Sequence, residues 1–420
     1  MLKIKTKFIN ISIRATTLAC RFLFIFFLAK FMSPAEVGIY GLLTATVAYA
    51  LYFVGLDFYT FTTRELASHE KNNWGALLKN QILLSLGLYC LVLPFLMLIF
   101  TNELLPWGMA KWFFLLLVLE HVCQELTRLF VAASEQLASS IVLFLRQGVW
   151  AVAVVALMLF EEDSRSLDTV FFAWGISCLV AIAFSLMKLQ KMGISGWISV
   201  IDRDWIWRGI KIAVPFLIAT LALRGVFTID RYWVQIIGGL ELVGAYVLFV
   251  GVANTLMAFL DAGVFTFAYP GMITAYQDRN PQAFRSKMRE MLLLTLVFST
   301  LFAAISSLLL PYLLVWLGKD IYLENEMLYY WLLLASVLNA IGMIPHYALY
   351  SQKRDKYIIQ SHLAVLPVFI LAVSVISIWM PILAVPIGLC ISQFFILVWK
   401  LYAYYHNTPK LFLGIAKVQC

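Results

Sequence analysis

Charged residues are scarce in this sequence of 420 residues, and their scarcity excludes a soluble fold. Asp, Glu, Lys and Arg make up 13% of the chain, whereas soluble domains contain about 25%. Hydrophobic residues make up 63% of the chain, and the mean hydropathy is +0.89. So few charged side chains cannot cover the surface of a core built from so many apolar residues. The composition therefore indicates an integral membrane protein.

The sequence also lacks the motifs of enzymatic chemistry. It contains no glycine-rich phosphate loop of the nucleotide-binding type, which excludes ATP hydrolysis by this chain. Its six cysteines are scattered, with no CxxC pair or histidine-rich spacing typical of a metal or redox site. The segments between apolar runs are short, which leaves no room for a separate catalytic domain. We therefore expect a protein that is not an enzyme and holds no cofactor or metal.

Long apolar runs fill most of the chain. A helix that crosses a hydrocarbon core of about 30 Å needs about 20 mostly apolar residues, because it rises about 1.5 Å per residue. The sequence thus predicts an all-α polytopic membrane protein with about twelve transmembrane helices, spans 1 to 12. Their approximate bounds are 8–32, 37–57, 80–101, 109–131, 138–160, 168–188, 210–233, 240–262, 291–317, 327–349, 357–379 and 383–403.

The positive charges collect in alternate loops. Lys and Arg in short loops stay in the cytoplasm, and this rule predicts that both termini are cytoplasmic in a bacterial inner membrane. The net charge of +8 is then explained by the basic cytoplasmic loops, and we expect no nucleic-acid partner. The charges assigned to the cytoplasmic side include Lys3, Lys5, Lys7, Arg64, Lys71, Lys79, Arg128, Lys188, Lys191, Arg203, Arg208, Lys211, Arg279, Arg285, Lys287, Arg289, Lys353, Arg354, Lys356, Lys400, Lys410 and Lys417.

Two stretches of the chain match at an offset of 206 residues. Val37, Gly38 and Tyr40 correspond to Val243, Gly244 and Tyr246, and 59–61 corresponds to 265–267. After a small insertion, 83–86 corresponds to 293–296. These collinear matches predict two six-helix lobes, residues 1–205 and 206–420. Because six is even, the repeat is parallel, and substrate sites in such transporters lie between the repeats.

Four arginines lie inside the predicted spans, where a charge is costly and is usually functional. Arg21 and Arg224 are near the centres of spans 1 and 7, which are equivalent under the repeat. Arg14 precedes Arg21 by seven residues, nearly two helical turns, so the two should share one face. Arg146 lies in span 5. Guanidinium groups bind phosphate oxygens in a bidentate fork, and we predict that these four residues bind an anionic substrate.

Span 4 carries a cluster of polar residues. Glu120 lies near its middle, and His121 and Glu125 are four residues apart, so they can touch on one helix face. Two roles remain open for Glu120: it balances the charge of the arginines, or it takes up a proton during transport. His121 and Glu125 form either a pH-sensitive pair or ordinary interhelical hydrogen bonds.

Two segments resemble a known family. Asp230–Tyr232, followed by Gly238 and by Val243–Tyr246, is similar to the pattern of an acid late in helix 7 and a VG-x-Y step into helix 8. That pattern occurs in the polysaccharide-repeat flippases of the multidrug/oligosaccharidyl-lipid/polysaccharide exporter superfamily. Gly55–Asp57 through Thr63–Ala67 is similar to the family's stretch after helix 2. With the twelve-helix plan, the resemblance covers most of the chain.

The resemblance implies a flippase that carries an undecaprenyl-diphosphate-linked oligosaccharide, such as an O-antigen repeat unit, to the periplasmic leaflet. Related flippases use cavity arginines on helix 1 for the diphosphate, and Arg14 and Arg21 match these in placement. Asp57 and Asp230 join Glu120 and its neighbours as candidates for coupling or charge balance. The expected partners are the lipid-linked substrate, membrane lipids, a polysaccharide polymerase and a chain-length regulator.

Two alternatives stay open. A multidrug exporter of the same superfamily favours cations, and it should therefore show lone acids and few arginines. A membrane polysaccharide polymerase or glycosyltransferase needs a sizeable periplasmic loop with catalytic residues, whereas the loops here are short. Two further helices of the peptidoglycan-precursor flippase are missing, which argues against that substrate.

Overall fold

The computed structural model describes the backbone of residues 2–414 and the side chains of residues 9–414. Throughout this part the chain is helical, with no β-strand. Lys3, Lys5, Lys7 and Lys417, which contribute to the expected topology, have side chains outside the described set.

Twelve long helices account for most of residues 2–414, in agreement with the expected number. Short helices connect some of them, at Tyr59–Ser68, Trp107–Met109, Glu162–Ser164 and Asp320–Glu324. The long helices are α1 (Leu2–Phe31), α2 (Pro34–Gly55), α3 (Lys71–Thr101, with a break at Met97), α4 (Ala110–Ala132), α5 (Gln136–Phe160), α6 (Leu167–Lys191), α7 (203–237), α8 (240–277), α9 (Pro281–Leu317), α10 (Met327–Ser351), α11 (Asp355–Ile376) and α12 (Pro381–Asn407).

Ten stretches of the described chain are long and apolar enough to cross a membrane. The stretch Arg203–Gln277 contains both α7 and α8. Helix α4 is not among the ten, because Lys111, Glu120, Glu125 and Arg128 make it too polar. Several helices begin before the apolar windows predicted from sequence, since polar residues can continue a helix beyond the hydrocarbon core.

A glycine pair separates α7 from α8. Gly239 has φ +72° and ψ −172°, a conformation that side chains with a Cβ atom rarely adopt. Gly238, with φ −141° and ψ 16°, is also non-helical. The pair therefore forms the tight turn between two successive spans.

Helices α2 and α8 are interrupted at equivalent positions. After Gly55 ends α2, Leu56 and Asp57 adopt left-handed conformations with φ of 52° and 49°, and helix resumes at Tyr59. In α8 the interruption is a π-helical turn at Asp261–Phe265. An offset of 206 places residue 55 at 261 and residue 59 at 265. The two interruptions thus support the internal repeat seen in the sequence.

The chain forms two compact units, residues 1–221 and 222–420. The sequence places the division at 205/206, whereas the structure divides the chain inside α7. The first turns of α7 belong to the N-terminal unit because Trp205 packs against Phe58 and Phe61, with ring centroids 5.4 and 5.0 Å apart. Gly209 lies so close that an added Cβ would overlap the ring of Phe58.

Helices α3 and α9 are the least buried spans of their units. Only 6% of the apolar window of α3 and 11% of that of α9 are buried, against 56% for α2 and α12. An apolar face that no other helix covers is suited to contact lipid. Both helices therefore lie at the edge of their own unit, and they correspond to each other in the repeat.

Candidate functional site

Two arginines of α1 are held by α5. Arg14 Nε donates a hydrogen bond to Ser140 Oγ over 2.8 Å, and Arg21 Nη1 donates one to Gln147 Oε1 over 3.0 Å. Both bonds join residues that are 126 positions apart, which shows that α1 and α5 run parallel in fixed register. Arg14 and Arg21 therefore share the face of α1 that meets α5, as their spacing predicts.

These two arginines keep an unneutralised charge. Their residues are exposed, and their hydrogen-bond partners, a hydroxyl and an amide, are neutral. Arg224 of α7 is also exposed. Among the described side chains, no carboxylate lies within ion-pair distance of any of the three. Their guanidinium groups are therefore available to an anion.

Arg146 differs from these three arginines. A π-helical turn at Leu145–Val149 interrupts α5, and the side chain is 10% exposed. Its Nε lies 3.0 Å from Glu120 Oε2 on α4. The charge of Arg146 is therefore balanced inside the N-terminal unit, unlike the charges of Arg14 and Arg21.

Aromatic residues enclose the Glu120–Arg146 pair. Trp174 Nε1 donates to Glu120 Oε1 over 2.7 Å, and Trp150 Nε1 donates to the carbonyl of Arg146 over 3.0 Å. The two indole rings stack, with centroids 5.5 Å apart. Glu120 is 4% exposed, so the pair is isolated from solvent and its partners come from α4, α5 and α6.

A second polar network surrounds His121 and Glu125. Tyr89 Oη and His121 Nδ1 are 2.5 Å apart, whereas His121 Nε2 lies 4.0 Å from Glu125 Oε1. Glu125 instead pairs with Arg128 at 2.5 Å and accepts a hydrogen bond from Gln81 Nε2 over 2.6 Å. The interhelical hydrogen bonds dominate, and the expected contact of His121 with Glu125 is the longest of the set.

Tyr59 contacts this network through Arg128. The guanidinium carbon of Arg128 lies 3.6 Å from the centre of its ring, a cation–π contact. Burial raises the pKa of the Tyr59 hydroxyl, and the nearby Arg128 charge opposes that shift. The phenol is therefore neutral at physiological pH.

The two aspartates expected to act in coupling are both buried. Asp57 is 5% exposed at the break after α2, and Asp230 of α7 is 2% exposed. Asp230 Oδ2 accepts a hydrogen bond from Tyr246 Oη over 2.7 Å, and Oδ1 accepts one from the Arg231 amide over 2.7 Å. Asp230 also lines a small cavity of about 30 Å³ together with Asn254, Ser336, Asn339 and Gln393.

Three functional candidates were missed by the sequence reasoning. His346 of α10, His362 of α11 and Lys400 of α12 lie together in the C-terminal unit. The sequence analysis assigned Lys400 to the cytoplasmic loops because it lies near the end of its span. In the structure it is 3% exposed, two turns before α12 ends. The position of Lys400 inside an apolar span was the sequence feature that could have identified it as a functional candidate.

No protein-family model matches the chain, and no curated protein sequence matches it. Solved structures do match. The inward-facing conformation of a multidrug resistance MATE family transporter of the MOP superfamily aligns with a TM-score of 0.68 and 13% identity, over 98% of this chain and 99% of that chain. An outward-facing conformation of such a transporter aligns with a TM-score of 0.64 and 12% identity, over 97% and 95% of the chains.

A MATE transporter in complex with MaD3S aligns with a TM-score of 0.63 and 13% identity, over 96% of this chain and 94% of that chain. The chain therefore has the fold of MOP-superfamily transporters, along essentially its whole length. The fold class predicted from the sequence is confirmed. The matched structures are described as transporters.

Proposed function

We propose that the protein is a flippase that moves an undecaprenyl-diphosphate-linked oligosaccharide from the cytoplasmic to the periplasmic leaflet. The main support is the state of Arg14, Arg21 and Arg224, three exposed guanidinium groups without a carboxylate partner among the described side chains. Uncompensated arginines at membrane depth favour an anionic substrate.

The negative charge of the diphosphate allows the membrane potential to drive transport. A diphosphate diester carries about two negative charges, and an inside-negative potential favours outward movement by about 2.3 kcal/mol per charge per 100 mV. Arginines in the spans lower the cost of bringing that charge into the membrane, while the lipid tail stays in the bilayer. A polysaccharide polymerase and a chain-length regulator are the protein partners that we expect for this function.

A multidrug exporter is the second candidate. The matched structures include multidrug resistance transporters, and cation exporters should carry a buried acid. Asp230 is such an acid, and it lines a small cavity that also contains Asn254, Asn339 and Gln393. The exposed arginines favour the flippase, because a positive surface repels cationic drugs.

A transport assay separates the two candidates. The purified protein is reconstituted into liposomes that contain radiolabelled undecaprenyl-diphosphate N-acetylglucosamine, and a soluble glycosyltransferase reports the sugar that reaches the opposite leaflet. We expect flipping by the native protein, none by Arg21→Gln or Arg224→Gln, and partial activity of the Lys variants. Arg208→Gln is the control, since Arg208 is exposed at the start of α7. Ethidium export without flipping would support the multidrug exporter instead.

A further inference from the structure

Three basic side chains converge inside the C-terminal unit. Lys400 Nζ of α12 lies 3.2 Å from His346 Nδ1 of α10. The ring of His346 stacks on that of His362 of α11, with centroids 6.1 Å apart and planes 15° apart. One residue from each of three successive helices thus forms a single cluster.

The cluster carries positive charge that no acid balances. Lys400 and His362 are the ionisable neighbours of His346. Lys400 and Arg224 are the charged neighbours of His362. Among the described side chains, no carboxylate lies within ion-pair distance of Lys400, His346 or His362. Buried charges are normally paired, and the Glu120–Arg146 pair shows that this fold pairs them elsewhere. The cluster therefore differs from that pair in having no carboxylate partner among the described side chains.

The other groups around the cluster do not neutralise it. Tyr347 of α10 contacts His346 edge to face, with centroids 5.4 Å apart. Asp261 of α8 lies near Tyr347 but forms no ion pair with His346, His362 or Lys400. Helix α7 contributes the guanidinium group of Arg224, whose charge acts on His362. Tyr347 therefore adds a phenol beside the cluster, and Arg224 adds a guanidinium group.

Solvent exposure increases from Lys400 through the two histidines to Arg224. Lys400 is 3% exposed, His346 and His362 are half-buried, and Arg224 is exposed. An anion that meets Arg224 first can therefore approach the histidines next. A bound anion favours protonation of the imidazoles, because a nearby negative charge stabilises their charged form, and Lys400 and Arg224 offer further hydrogen-bond donors.

We infer that Lys400, His346 and His362 form a binding site for a phosphoryl group, and that the site takes up protons as the anion binds. This inference rests on the proposed function, in which the phosphoryl group is the diphosphate of the lipid-linked substrate. An anionic phospholipid headgroup offers the same chemistry. Because proton and anion binding are linked, each strengthens the other.

Binding of farnesyl diphosphate to the full chain in phosphatidylcholine nanodiscs tests the site. Between about pH 8 and about pH 6 we expect the affinity of the native protein to rise about tenfold, through protonation of the histidines. Lys400→Met should lower the affinity at least about tenfold, and His346→Gln and His362→Gln should flatten the pH dependence. Lys400→Arg should retain binding.

Two matched controls lie near the same end of the chain. Lys410→Met and His406→Gln change exposed residues, and both should bind like the native protein. The melting temperature of Lys400→Met distinguishes a binding role of Lys400 from a purely structural one. Removal of an unbalanced buried charge should leave the empty protein as stable as before, or more stable. A structural Lys400–His346 bond predicts a lower melting temperature for Lys400→Met.

Further arms of the experiment identify the source of the phosphoryl group. A Lys400-dependent gain in stability in phosphatidylglycerol nanodiscs without diphosphate would support the site and assign it to a phospholipid headgroup. Equal binding by Lys400→Met and Lys410→Met would overturn the site. That outcome is distinct from failure of the proposed function, which would appear as loss of flipping by the native protein in the liposome assay.

Discussion

Arg146 and Glu120 form an ion pair in which Nε and Oε2 are 3.0 Å apart, and both side chains are at most 10% exposed. The pair joins α5 to α4 in the N-terminal unit. Loss of one partner from such a pair leaves an uncompensated buried charge, which costs more than the pair itself contributes.

Arg146→Met should therefore destabilise the protein by about 3–5 kcal/mol. The double variant with Glu120→Gln should recover much of that loss, because it removes both charges. Unfolding of the purified protein in detergent measures the difference. Lys111→Met is the matched control, since it breaks the exposed Lys111–Asp168 pair and should cost at most about 1 kcal/mol. Equal losses for Arg146→Met and Lys111→Met would contradict a buried pair.

Glu120→Gln should impair transport more than Glu103→Gln, which changes an exposed carboxylate outside the spans. Because Glu120 is paired with Arg146, we expect the deficit at every pH and together with lower stability. Flipping rates measured across pH test this expectation. A variant that keeps its stability but loses the pH dependence of transport would assign Glu120 to proton coupling instead.

Gln147→Glu should abolish flipping, because the new carboxylate would pair with Arg21 and neutralise it. The amide oxygen of Gln147 already accepts the hydrogen bond from Arg21, so the new group needs little movement. Gln190→Glu adds the same charge at an exposed position of α6 and should leave flipping unchanged. Normal flipping by Gln147→Glu would remove Arg21 from the substrate path.

Tyr246→Phe should destabilise the C-terminal unit by about 1–3 kcal/mol, because it removes a hydrogen-bond donor from the buried Asp230. If Asp230 acts in coupling, Asp230→Asn should in addition slow transport without a comparable loss of stability. Tyr402→Phe is the control, since Tyr402 is 70% exposed. Native transport by Asp230→Asn would leave Asp230 with a structural role only.

Gly209→Ala should destabilise the protein by about 1–3 kcal/mol through overpacking. The added methyl group would overlap Phe58 and Phe61, which hold the start of α7 on the N-terminal unit. Gly87→Ala is the comparison, because nothing lies within 4 Å of the Cβ that it adds. That change should be neutral or slightly stabilising. Similar melting temperatures for the two variants would refute the close contact at Gly209.

The internal repeat was visible in the sequence and acquires a physical meaning in the structure. The matching segments were short, but they bracket the positions where α2 and α8 are interrupted. A helical break needs particular backbone conformations, such as the left-handed Leu56 and Asp57. Side-chain patterns indicate such conformations poorly, and the form of each break was therefore seen only in the structure.

The sequence by itself determined the number of long helices, the all-helical class and the presence of arginines within apolar helices. These properties depend on hydropathy and spacing along one chain, which periodic patterns report directly. Tertiary structure decided which charges are balanced. Arg21 meets Gln147 whereas Arg146 meets Glu120. Lys400 meets His346, and no carboxylate among the described side chains lies within ion-pair distance of it. Such pairings join different helices, and only the packing of those helices brings the partners within a few ångströms.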